Sequence, residues 1–155
     1  MRPLAIVRPD AWDLALFVHV LGAMVMVGAL VLAASYLFAA RRDGSLAAAR
    51  VGFRSLLYAA LPSFVAMRVG AQWIADEEGV ADSEAAWIEV GYIVSDAGAL
   101  LILIATVSAG LALRRARQPE GRGDGGRGAT LAASLVAVLI VAYLVAIWAM
   151  ATKPA

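Results

Sequence analysis

The sequence predicts an all-α fold: a polytopic bundle of four transmembrane helices with both termini on the outer side. Three observations carry that prediction. The 155 residues are 63% hydrophobic and only 16% charged, whereas soluble domains sit near half apolar and a quarter charged. The apolar residues gather into four runs, each reaching the length of about 20 residues that a helix needs to cross the hydrocarbon core. The charges between the runs change sign from one connection to the next, which is how orientation is encoded in a membrane. A single membrane domain covering residues 1–155 follows, and the lipid bilayer is its first partner.

The first run, residues 11–40, is longer than lipid requires, so it is expected to tilt or project. Arg2 and the small residues Ala33-Ala34-Ser35 are ingredients of a cleavable signal. The apolar stretch, however, far exceeds the roughly 7–15 residues of a signal core, and it continues through Tyr36-Leu37-Phe38. It reads as a retained helix. The second run, 53–75, contains Pro62, which removes a backbone donor and is expected to kink the helix there. The third, 85–113, is again longer than a bilayer needs, and the fourth is 129–151. Trp12, Trp73, Trp87 and Trp148 fall near corresponding ends of the four runs. An indole ring favours the half-wet headgroup level, so this set marks one membrane face.

Arg41, Arg42, Arg50 and Arg54 surround the first connection, and Arg114, Arg115, Arg117, Arg122 and Arg127 crowd the third. The middle one is acidic, with Asp76, Glu77, Glu78, Asp82 and Glu84. Positive charge stays in the cytoplasm, so the first and third connections lie inside and the acidic one outside. The Gly- and Arg-rich stretch 114–128 has the composition of a flexible linker. It lacks the Gly-Lys-Ser/Thr ending of a phosphate loop.

Composition also removes whole classes of chemistry. With no cysteine and one histidine, there is no disulfide framework, thiolate zinc site, cysteine nucleophile or multi-histidine metal motif. No constellation suits a self-sufficient hydrolase. The charges are sorted by connection rather than gathered into a basic patch, so no nucleic-acid partner is indicated.

What remains is the polar content of the spans. A charge inside a span costs about 2.5–3.5 kcal/mol on insertion scales, so each one asks for a reason. Two stand out, Arg68 in the second run and Asp96 in the third. At about 1.5 Å per residue, Arg68 lies roughly 10 Å below Ala75 and Asp96 about 13 Å in from Trp87, which predicts an ion pair between neighbouring helices. By the same rise, His19 is about 10 Å in from Trp12 and Tyr143 about 12 Å in from Ala151. Each helix thus supplies one polar side chain at one level. Gln72 lies one turn above Arg68, and Tyr92 and Glu89 lie above Asp96 on its face. Together they sketch a polar funnel leading from the outer surface to a buried layer. Such a layer can bind a small ligand, ion or proton. It can equally be an internal network that only fixes helix packing in an assembly or accessory subunit.

A third reading rests on Met26, two turns from His19 on the same helix. Thioether and imidazole suit Cu(I) or haem iron, although a haem would need its second ligand from another helix. Methionine is also a common filler of cores. Gly22, Ala29 and Ala33 line the His19 side of the first helix, where small residues permit close packing within the bundle or in a homo-oligomer.

The stretches His19-Val20-Leu21-Gly22-Ala23 and Gly28-Ala29-Leu30 resemble the first helix of a group of bacterial four-helix integral membrane proteins related to copper-resistance D-like domains. His19 corresponds to that family's histidine and Gly28 to the first of its paired glycines. Met26 stands near a position where many members carry tryptophan, and Ala29 replaces the second glycine. The resemblance covers one helix of the four. It implies a multi-pass protein of the bacterial cytoplasmic (inner) membrane and makes haem or copper at His19 and Met26 an expectation to test.

Overall fold

The computed structural model describes residues 10–78, 86–117 and 125–152, with side-chain surroundings for 14–77, 89–117, 127–149 and 151–152. The described residues are helical almost throughout. Helix α1 spans Asp10–Asp43, α2 spans Leu46–Ser55, a π-helical turn spans Leu56–Ala60, α3 spans Leu61–Glu78, α4 spans Ala86–Ala116 and α5 spans Gly125–Ala151. Both junctions of the π turn keep right-handed helical backbone, so α2, the turn and α3 form one rod. Three segments are long and apolar enough to cross a membrane: Leu14–Asp43, Glu89–Ala116 and Arg127–Ala149. The α2–α3 rod, which carries Arg50, Arg54, Arg68, Asp76 and Glu77, is not among them.

The rod starts seven residues before the expected 53. Arg50 and Arg54 dilute the apolar signal there, but the local chemistry is helical. Gly44 adopts a positive φ of 64°, the left-handed conformation that ends helices and that glycine takes without steric cost. Arg41 and Arg42 in the last turn of α1 complement the partial negative charge of its carboxyl end. Ser45 then caps α2, its hydroxyl accepting from the Ala48 amide at 3.2 Å, and three alanines follow, the best helix formers. At the other ends, α1 runs to Asp43, α3 to Glu78 and α4 to Ala116, each about a turn beyond the apolar run that predicted it.

The disturbance expected at Pro62 takes the form of the π turn directly before it. The Leu61 amide donates to the Leu56 carbonyl, five residues back. A proline ring crowds the carbonyl four residues earlier and offers it no hydrogen, and a widened turn is one way for the backbone to accommodate both.

Helix α1 is central: it packs along α2, the π turn, α3 and α5, while α5 also packs along α4. Met26, Leu30, Leu37, Leu56, Ile102, Val136 and Leu139 are fully buried between them, interleaved with Ala29, Ala33, Ala105, Ala109, Ala132 and Ala133. Small residues let helices approach closely where lipid supplies no hydrophobic drive. The outer surface is apolar too, with Leu14, Phe17, Met24, Val107, Val141 and Trp148 largely exposed. An apolar interior wrapped in an apolar exterior is the pattern of a bundle whose solvent is lipid.

The α1–α3 crossing is the tightest. A side chain on Gly22 would stand 2.7 Å from the Met67 backbone nitrogen, and one on Gly70 would stand 2.7 Å from that of His19. Lower in the rod, Ser55 donates to the Ala29 carbonyl at 2.8 Å, and the Phe53 ring packs over Gly110 of α4. Farther along, α3 and α4 scarcely touch. The bundle therefore has a wedge-shaped seam, closed at Phe53–Gly110 and open toward the end of α3 and the start of α4.

Candidate functional site

Arg68 and Asp96 bridge the open seam. The guanidinium Nη2 donates to Oδ1 of Asp96 at 3.1 Å, so the equal heights inferred from helical rise translate into contact. Tyr92, one turn from Asp96 on α4, places its ring under the guanidinium, 4.8 Å from Cζ to the ring centroid. The quadrupole of an aromatic face attracts a cation there. The pair is not the buried layer that the sequence suggested: the Arg68 side chain is 30% exposed and that of Asp96 is 71% exposed. On α4, Asp96 shares its outward side with Ile93 and Leu100, both well exposed.

Tyr143 of α5 lies behind the pair. It is 4% exposed, its ring and hydroxyl lie against Gly98, and the charge of Arg68 reaches it electrostatically. Its hydroxyl has no hydrogen-bond partner among the described residues. Buried hydroxyls are nearly always paired, so an orphan in a polar neighbourhood asks for an explanation. Gly98 was not singled out as a site residue by sequence. A glycine facing the one deeply placed tyrosine of another span was the signal for it.

His19 does not join this group. Its Nδ1 lies 2.9 Å from the Met67 carbonyl of α3. A carbonyl only accepts, so Nδ1 carries the hydrogen and the ring acts as a tie at the α1–α3 crossing. Gln72 donates to Asp76 at 3.0 Å on the exposed side of α3, and the Trp73 indole donates to Glu77 at 3.4 Å. Glu89 is exposed in the first turn of α4. These residues rim the seam. The side chains of Trp12 and Trp87, and the acidic residues Asp82 and Glu84, lie outside the described residues.

The donors for haem or copper do not assemble as expected. Met26 is fully buried in the core beside Leu30, where it fills space between helices, and Met24 is 68% exposed. No group of three or more His, Cys, Asp or Glu side chains suited to a metal occurs among the described residues.

Fold and site together define an all-helical protein with three helices long and apolar enough to cross a membrane and an ion pair across an open seam. Comparison with protein-family models, curated proteins and solved structures finds no match.

Proposed function

We propose that this is a multi-pass protein of the bacterial cytoplasmic membrane whose α3–α4 seam is a polar site, open to the outer face, that handles a small ligand, ion or proton. All four helical rods cross the bilayer in this reading. Three are apolar enough by themselves, and the α2–α3 rod is carried with α1, against which it packs along its length. The arginines at the α1–α2 and α4–α5 connections put those ends in the cytoplasm and both termini outside. The exposed indoles of Trp73 and Trp148 suit the outer headgroup level.

One observation carries the functional reading: the Arg68–Asp96 tie spans a seam whose floor holds a buried hydroxyl with no partner. Arg68 holds an anionic group or sets the protonation of Asp96, Asp96 pairs with a cation or exchanges a proton, and Tyr143 orients what enters. The test reconstitutes Arg68→Ala and Asp96→Asn beside wild type and measures proton flux and bound small molecules by native mass spectrometry. Loss of flux or ligand supports the site. If both variants lower only the thermal midpoint, the pair is structural.

The exposure of Asp96 between Ile93 and Leu100 favours one second reading, a non-catalytic assembly subunit whose polar face is covered by a partner helix. Co-purification of a stoichiometric membrane partner, with the seam empty of small molecules, selects that alternative.

A further inference from the structure

We infer that the seam takes the headgroup of a zwitterionic aminophospholipid, with its phosphate on Arg68 and Tyr143 and its ammonium on Asp96. The inference rests on the reading of the seam as a ligand site and names what fills it.

Charge balance is the first argument. Arg68 and Asp96 sum to zero, and the nearest acids along α3, Asp76 and Glu77, are engaged by Gln72 and Trp73. An occupant with net charge would meet one partner and one opponent. A molecule carrying an oxyanion and an ammonium a few ångströms apart meets two partners.

Donor count is the second. A guanidinium offers five N–H donors, and one of them is directed to Asp96 Oδ1. The Tyr143 hydroxyl, 4% exposed and unpartnered among the described residues, adds a donor on the inward side of the seam. Phosphate oxygens accept from both. Asp96, the more exposed member of the pair, is left on the outward side, where the ammonium of such a headgroup extends beyond its phosphate.

Position is the third. Along their helix axes, Asp96 stands ~27 Å from Arg114 and Arg68 stands ~27 Å from Arg50. The hydrocarbon core is about 30 Å thick. With the arginines in the inner headgroups, the ion pair falls at the outer headgroup boundary, because the helices extend past the bilayer. From that level Leu100, Leu103, Val107 and Leu111 form an exposed apolar strip down α4, and Val69 and Val65 continue it on α3. A free amino acid would find these walls unrewarding; an acyl chain lies along them.

The experiment places full-length protein in nanodiscs of equal phosphatidylethanolamine and phosphatidylglycerol and identifies the last lipids retained by native mass spectrometry. Phosphatidylethanolamine is expected to be retained over phosphatidylglycerol by about fivefold or more, the factor that one charge contact near a membrane surface supplies. Asp96→Asn leaves a net cation and is expected to move the preference to phosphatidylglycerol. The exchanged pair Arg68→Asp with Asp96→Arg keeps an ion pair to hold the fold, and is expected to lose the preference because the charges are reversed against Tyr143. Equal retention by wild type, or an unchanged preference in the exchanged pair, overturns the inference. Glycine added to delipidated protein separates the levels of failure. If glycine binds and no lipid is selected, the lipid is wrong and the ligand site stands. If neither binds and Arg68→Ala shifts only the thermal midpoint, the site itself is gone.

Discussion

The phenolic oxygen of Tyr143 occupies the space in which a side chain on Gly98 would stand, and the ring carbon Cζ is 2.9 Å from that same point. The tyrosine can sit this deep because α4 is bare at position 98. Gly98→Ala is therefore expected to cost about 1–3 kcal/mol, the usual range for overpacking. Tyr143→Phe, which deletes a hydroxyl lacking a partner, is expected to leave stability unchanged or slightly raised. The double variant should recover only part of the loss, since the ring remains. Chemical denaturation in detergent reads all three, and a Gly98→Ala protein as stable as wild type would refute the contact.

The glycines of α1 should divide sharply. A methyl at Gly22 meets the backbone of Met67 and Ser63, whereas one at Gly28 meets nothing within 4 Å. Backbone cannot step aside, so Gly22→Ala should destabilise by about 1–3 kcal/mol. Gly28→Ala should be neutral or stabilise by up to about 1 kcal/mol, through the lower helix propensity of glycine. Gly70→Ala should behave like Gly22→Ala. Thermal midpoints of the three variants test the ranking.

Arg68 and Asp96 should couple modestly in detergent. With Asp96 71% exposed, water and salt screen the pair, and a double-mutant cycle is expected to return about 0.2–1 kcal/mol. Arg68→Lys should lose more than the ion pair predicts, because a flat guanidinium suits the Tyr92 ring better than an ammonium does. A coupling well above that range would mean that the charges are desolvated.

His19→Ala should cost about 0.5–1.5 kcal/mol, the worth of one hydrogen bond to the Met67 carbonyl. The bond ties helices rather than holding a cofactor, so the visible absorbance and metal content of the purified protein should be the same in variant and wild type. A chromophore or stoichiometric copper that disappears with His19 would return the histidine to ligand duty.

Topology can be read without background, because the chain has no cysteine. Ser45→Cys and Arg117→Cys should be labelled by an impermeant maleimide only after the cells are opened. Thr152→Cys should be labelled in intact spheroplasts. The reverse pattern would invert the protein and move the seam to the cytoplasmic side.

The sequence made heights legible and left directions hidden. Axial rise is nearly constant, so counting residues was enough to bring Arg68 opposite Asp96. Facing depends on about 100° of rotation per residue and accumulates every local irregularity. His19 accordingly looked like a member of the layer but bonds to backbone on the α1–α3 crossing. Tyr143 shares the level, yet it is reached from behind, over Gly98. Apolar content announced α1, α4 and α5; it missed the start of α2, where Ser45 and alanines, not hydrophobicity, make the helix. The ion pair's exposure was also out of reach, because burial depends on how far α3 and α4 part, and only packing sets that.

The π turn at Leu56–Ala60 has a consequence for chain length. It holds a surplus residue that a regular helix would not contain, so losing one residue there need not break the rod. The shortened segment would close into ordinary α-helix. Everything beyond it would then turn by about 100° and slide by about 1.5 Å relative to α2, carrying the guanidinium of Arg68 away from Asp96. A one-residue deletion in this turn is thus an alteration that the fold can absorb and the seam cannot.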